Sequence, residues 1–172
     1  MISQELKRLL VKRRKLPLFQ FIGNLNEDWC TMLAERAKTA ESTAEASKEN
    51  NITFDRYDFL EFYDQRKTNV FLPDVFKVFG EGYDLRFGVL EAGKTLPPHV
   101  DHPKDLRFIA VLEGEHVFRI VDKVKDERVM KKGELWFINS SYNHEVENTT
   151  SDQRIALLGK FKDETQLLRT RA

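Results

Sequence analysis

From Tyr83 to Phe161 the chain has a period of two. Tyr83, Leu85, Phe87 and Val89 alternate with Asp84, Arg86 and Gly88. Alternation of this kind places one set of side chains on one face of a strand and the other set on the opposite face. Arg107 to Leu112, His116 to Ile120, Glu127 to Met130, Glu134 to Ile138, His144 to Asn148 and Arg154 to Phe161 continue the series. Glu113-Gly114-Glu115 and Lys132-Gly133 supply turns between them. Roughly seven short strands at regular spacing predict an all-β barrel or a double-sheet jelly roll.

The first half reads differently. Ile2, Leu6, Leu9 and Leu10 recur at helical spacing, with Ser3 placed to cap and Pro17 to stop the helix. Leu18 to Ile22 reads as a short extended segment. Asn26 is placed to cap a second helix carrying Trp29, Met32, Leu33 and Ala37 on one side. Ala40 to Asn51 has no large apolar residue and reads as a surface loop or frayed helix end. Asp55 to Tyr63 is aromatic-rich without a clear period. Phe71 to Phe79 predicts a short helix from Asp74. The expected organisation is a single domain, 1–172. Residues 1–80 would form a helical and irregular cover, 81–162 the β core and 163–172 a tail.

Composition narrows the function classes. With 28 basic and 28 acidic residues the net charge is zero, so no overall field favours nucleic acid or an anionic membrane. The single cysteine, Cys30, excludes an internal disulfide framework and a cysteine-rich zinc site. No membrane anchor or signal segment is visible, and a cytoplasmic location is expected. The cluster Lys12-Arg13-Arg14-Lys15 reads as the solvated, dipole-favoured end of the first helix.

The chemistry concentrates in three residues. In Pro98-His99-Val100-Asp101, His99 and Asp101 are two apart and would share one face of an extended segment. His144 follows in Asn143-His144-Glu145-Val146-Glu147. Its two acidic neighbours favour water, so His144 is expected to point inward. Two imidazoles and one carboxylate form the facial triad of non-haem Fe(II) oxygenases. In the last strand Arg154, Ala156 and Leu158 share a face, expected inward, with Ile155 and Leu157 packed against helices. An inward arginine needs an anion, and a bound carboxylate would supply one. His102 and His116 read as surface or internally satisfied histidines, His102 with a lesser claim to a place beside the triad.

These residues also carry a family resemblance. Pro98-His99-Val100-Asp101, Leu106-Arg107, Gly133-Glu134-Leu135-Trp136-Phe137, His144-Glu145-Val146, Asn148 and Arg154-Ile155 together resemble the aspartyl/asparaginyl β-hydroxylase family. Bacterial proline hydroxylases are among its relatives. The resemblance spans roughly residues 83–161. It implies a double-stranded β-helix (jelly roll, cupin-like), mainly β with N-terminal helices. It implies that His99, Asp101 and His144 hold Fe(II) and that Arg154 grips the distal carboxylate of 2-oxoglutarate. Arg107 would line the substrate side, and Arg86 could join it. Ile109 stands where mammalian members have a histidine near the cosubstrate's inner carboxylate, and Gly88 where they have a serine near the distal one.

The activity so implied is hydroxylation of an unactivated C–H in an amino acid or peptide residue of Asp, Asn or Pro type. O2 would be consumed, and succinate and CO2 released. The expected partner is a small amino-acid or peptide substrate, with no nucleic acid; oligomeric state is left open. Two other classes stand beside this one: a cupin metalloprotein of different chemistry, and a non-catalytic jelly-roll binding module.

Overall fold

The computed structural model describes residues 2–39, 60–64 and 83–161, with the backbone alone at 60–64 and 83–86. The expectations for Ala40 to Asn51, for Phe71 to Phe79 and for the tail 163–172 lie outside the described residues.

Helix α1 (Gln4–Arg13) starts where Ser3 Oγ accepts the Leu6 N–H at 3.1 Å. This satisfies one of the donors that a helix start leaves open. The extended segment after Pro17 is a strand, β1 (Phe19–Asn24). Helix α2 (Glu27–Thr39) is capped by Asn26, whose Oδ1 accepts the Asp28 N–H at 2.9 Å. Its buried side is Cys30, Leu33, Ala34 and Ala37; Met32, expected there, is exposed. One step of 100° around the helix separates Met32 from Leu33, enough to turn it to water.

The strands that follow are β2 (Leu60–Asp64), β3 (Tyr83–Leu90), β4 (Thr95–His99), β5 (Arg107–Glu113) and β6 (Glu115–Val121). After them come β7 (Lys125–Lys131), β8 (Glu134–Ile138), β9 (His144–Glu147) and β10 (Arg154–Lys160). They build a six-stranded antiparallel sheet, ordered β1-β8-β5-β10-β3-β2, and a four-stranded one, ordered β4-β9-β6-β7. This is the expected jelly roll with two helices. The period-two pattern missed β2, which lies in the aromatic-rich stretch without a clear period, and β4, which contains Pro97 and Pro98. Proline removes a ladder donor, which an edge strand such as β4 tolerates.

Alternation in β5 shows how the layers are stacked. Phe108, Ala110 and Leu112 pack with Leu33, Ala37, Ile155 and Leu157 beneath α2. Ile109 and Val111 point the other way, into the space between the sheets, with Phe118, Ile120, Val146 and Ala156. The strand is buried on both faces, hence its nearly unbroken apolar run. Full burial of a residue such as Leu33 contributes about 1.5–3 kcal/mol. As expected, Ile155 and Leu157 face the helix layer and Arg154 and Ala156 face inward.

Helix α1 closes the end of the roll nearest the predicted site. Arg13 is buried, and its Nε donates to Pro103 O at 2.7 Å. Asn139 Nδ2 donates to Arg13 O at 2.9 Å. The basic cluster is therefore not wholly solvated: one of its four members ties the helix to the loops after β4 and β8.

Gly114 joins β5 to β6 with φ +74°, in the left-handed region, and a Cβ there would lie 2.9 Å from Gln153 O. Gly114→Ala should destabilise the fold by roughly 1–3 kcal/mol, from backbone strain and the clash. A urea-unfolding midpoint equal to wild type would contradict this placement.

Candidate metal centre

His99 ends β4 and His144 opens β9, and the antiparallel register sets them directly opposite one another. Cross-strand partners have adjacent side chains; the two rings lie 4.3 Å apart between centroids. Asp101 is not in the strand, as the spacing predicts, but in the loop just beyond it. Its N–H donates to Ser140 O at 3.0 Å, which turns the loop back toward β9. Asp101 Oδ1 lies 3.9 Å from His99 Nε2, and Oδ2 lies 3.8 Å from His144 Nε2. One ligand atom from each of the three falls within 4.8 Å of the other two.

Both imidazoles are held in the tautomer a metal requires. His99 Nδ1 is 2.8 Å from Pro97 O, and His144 Nδ1 is 2.8 Å from Tyr142 O. A carbonyl can only accept, so each Nδ1 carries the hydrogen, which in the neutral ring leaves the lone pair on Nε2. Fixing a ligating histidine through its other nitrogen sets ring orientation and basicity. His144 also stacks on Phe118, with centroids 5.1 Å apart and planes 14° apart. Burial pushes its pKa from 6.5 down to about 4, against the pull of Asp101 and the Tyr142 hydrogen bond; His99 and Arg107 add to the lowering. The ring is therefore neutral, the ligating form, at physiological pH. Two aimed imidazoles and a carboxylate fit a divalent transition metal.

Arg107 lines the site, but much of it is engaged. Its Nε is 2.7 Å from Asp101 Oδ2, an ionic contact whose N–H is not aligned on the oxygen. Its Nη2 donates to Asp105 Oδ2 at 3.0 Å, and Lys160 Nζ is 3.1 Å from Asp105 Oδ1. Arg86 pairs through its backbone with Leu158; its side chain lies outside those described.

A cavity of about 130 Å³ opens beside the triad. His99, Asp101, His144, Arg107, Arg154 and the apolar Ile109 are among the residues that line it. Arg154 is 3% exposed, and its Nη1 donates to Gly88 O at 3.1 Å. Burial lowers its pKa to about 10, so it stays cationic at neutral pH. No carboxylate among the described residues pairs with it.

The reading of two other histidines divides. His102 is exposed, as expected, with Nδ1 accepting the Lys104 N–H at 3.1 Å. His116 is neither on the surface nor satisfied: it is fully buried, and neither ring nitrogen has a hydrogen-bond partner. The period of β6 carried the signal, since His116 shares its face with the inward Phe118 and Ile120.

Fold and site together define a jelly-roll protein with a candidate mononuclear metal centre. Residues 86–158, under half of the chain, match the family model for the cupin domain. No curated protein sequence matches. Among solved structures the chain is similar to the capsular polysaccharide assembling protein CapF of Staphylococcus aureus, at 20% identity and TM-score 0.46. That alignment covers 64% of this chain and only 30% of CapF. The Drosophila melanogaster CENP-C cupin domain aligns at 11% identity and TM-score 0.43, over 63% of this chain and 74% of that one. An oxalate oxidase aligns at 22% identity and TM-score 0.41, over 45% and 40%. The likeness is to cupins at large, and nothing in it is specific to the β-hydroxylase family. No described helix is long and apolar enough to cross a membrane.

Two outcomes follow from this geometry. His99→Ala, Asp101→Ala and His144→Ala should each lower Fe(II) or Zn(II) affinity at least tenfold in calorimetric titration, whereas His102→Ala should not. Equal affinity across all four would dismiss the ligand set. In metal-free protein, a histidine depressed to about 4 from an unfolded value of 6.5 leaves the unfolded state binding more protons between those pH values. Its contribution is complete above pH 6.5 and is lost as pH falls toward 4. Urea midpoints should therefore drop between pH 7 and 4.5; a flat profile would mean that His144 is not held neutral.

Proposed function

We propose that this protein is an Fe(II)- and 2-oxoglutarate-dependent oxygenase that hydroxylates an unactivated C–H of an amino acid or peptide residue. One observation carries the reading: a three-residue ligand set and a buried arginine without a carboxylate partner share one small cavity. A metal-binding cupin needs the first, but the second requires an anion beside the metal position. A buried unpaired charge costs several kcal/mol, which a carboxylate held by a charge-assisted hydrogen bond would offset.

His99, Asp101 and His144 would hold iron, which when bound supplies oxygen activation. The chain's own residues set the rest. These three residues line the cavity, so a metal they held would be accessible to a cosubstrate from it. Arg154 orients a dicarboxylic cosubstrate by its far end. Ile109, Leu96, Val146 and Leu158 line the cavity with apolar surface that excludes water. Arg107 holds Asp101 in place, and the rest of its fork is available to a substrate carboxylate, with Arg86 as a second candidate. This tilts the substrate toward amino acids and acidic or prolyl peptide residues.

The test is incubation with Fe(II), ascorbate, 2-oxoglutarate and an amino-acid and peptide panel. Succinate should form, and one panel member should gain an oxygen by mass. Arg154→Leu should raise the 2-oxoglutarate concentration needed by roughly 30-fold or more, the range for removing one partner of a buried charge pair. Tight metal binding without 2-oxoglutarate consumption would instead assign the protein to a different cupin chemistry. Absence of metal binding would leave a non-catalytic jelly-roll module.

A further inference from the structure

Two buried polar groups near one end of the inter-sheet space lack partners. Arg154 Nε has no acceptor, and His116 offers two ring nitrogens with none. Nearly all buried polar groups in proteins are paired, so such orphans call for an explanation. They come from facing sheets, His116 from β6 and Arg154 from β10. Gly114, two residues before His116, brings the strands together: a Cβ on it would lie 3.2 Å from Arg154 Cα and 3.6 Å from its Cβ. The absence of a side chain there lets the start of β6 close over the root of Arg154.

The neighbours of His116 do not use it. Met130, its cross-strand partner on β7, is apolar and fully buried. Asn148, just past β9, spends its amide on Leu90, Glu91 and Asp152 carbonyls and its oxygen on Thr150. Burial, and after it the Arg154 charge, oppose protonation of the ring, which is therefore neutral. A neutral imidazole still has one N–H to donate.

We propose that His116 and Arg154 form a two-point carboxylate site between β6 and β10, behind the cavity that Arg154 lines, the guanidinium taking one oxygen and the imidazole N–H the other. The site deepens the oxygenase reading and rests on it for the identity of the ligand, a short dicarboxylate or 2-oxo diacid. Beside Arg154, Gly88 offers no hydroxyl, only a carbonyl that holds Nη1. His116 would supply a neutral donor from a different strand.

The test uses succinate as the probe and the full chain, with and without Zn(II), so that no turnover is involved. Histidine ring resonances are few, since the chain has four histidines, and His116→Leu assigns the one of interest. Succinate should shift the His116 resonance, and butane-1,4-diol should not. His116→Leu and Arg154→Leu should each weaken succinate binding about tenfold or more. Without ligand, His116→Leu should melt no lower than wild type, because it replaces an unsatisfied polar group with an apolar one. The proposal is overturned if succinate leaves the His116 resonance unmoved or binds His116→Leu with wild-type affinity. It is equally overturned if ligand-free His116→Leu melts well below wild type, which would make the ring a satisfied part of the core. Succinate held through His116 by a protein that never consumes 2-oxoglutarate would remove the oxygenase reading and keep the site. Normal turnover in His116→Leu would do the reverse.

Discussion

The register of β4 against β9 is the constraint on which the site depends. It places His99 opposite His144 across forty-five positions of sequence and brings their rings to 4.3 Å. A one-residue slip would turn every side chain of a strand to its other face and separate the pair. The register is held from several directions. Val146 is buried between the sheets, Glu145 and Glu147 pair with Arg119 on the outer face, and the backbone carbonyls of Pro97 and Tyr142 each take a ring hydrogen. The same backbone that sets the fold thus also sets the imidazole tautomers.

Charge is distributed unevenly along the cavity. Near its mouth, Asp101, Arg107, Asp105 and Lys160 form a compensated chain of ion pairs. Arg154, buried in the cavity wall, has only a carbonyl, and the buried His116 of the facing sheet has no partner. A fold under no functional demand would gain stability by replacing the inner pair with apolar residues. Keeping a cation and an unsatisfied ring there is a stability cost of the kind found at binding sites. The compensated charges and the uncompensated ones therefore sit in different parts of the molecule, the first beside the candidate ligand set and the second between the sheets.

Much of this was legible before any coordinates. The period of two placed His144, Val146 and Arg154 inward and Ile155 and Leu157 toward a helix, because a half-buried strand leaves little choice of face. The capping roles of Ser3 and Asn26 were equally plain, being local chemistry. What escaped was mostly tertiary. Asp101 reaches the site through a loop hydrogen bond to Ser140, not through strand alternation. Arg13 is drawn inside by Pro103, a partner ninety residues away. His116 was misjudged because a lone histidine is usually satisfied, although its place on the Phe118 face pointed inward. Met32 shows the limit of helical periodicity, where a single step decides between core and water.

The central claim is that His99, Asp101 and His144 share one metal ion. The most direct test is a crystal structure of protein soaked anaerobically with Mn(II), with the ion located by anomalous scattering. The account predicts one strong peak bonded to both Nε2 atoms and an Asp101 oxygen, with the cavity on its open side. A peak elsewhere, or none at this position with Arg107 still closed on Asp101, would contradict it.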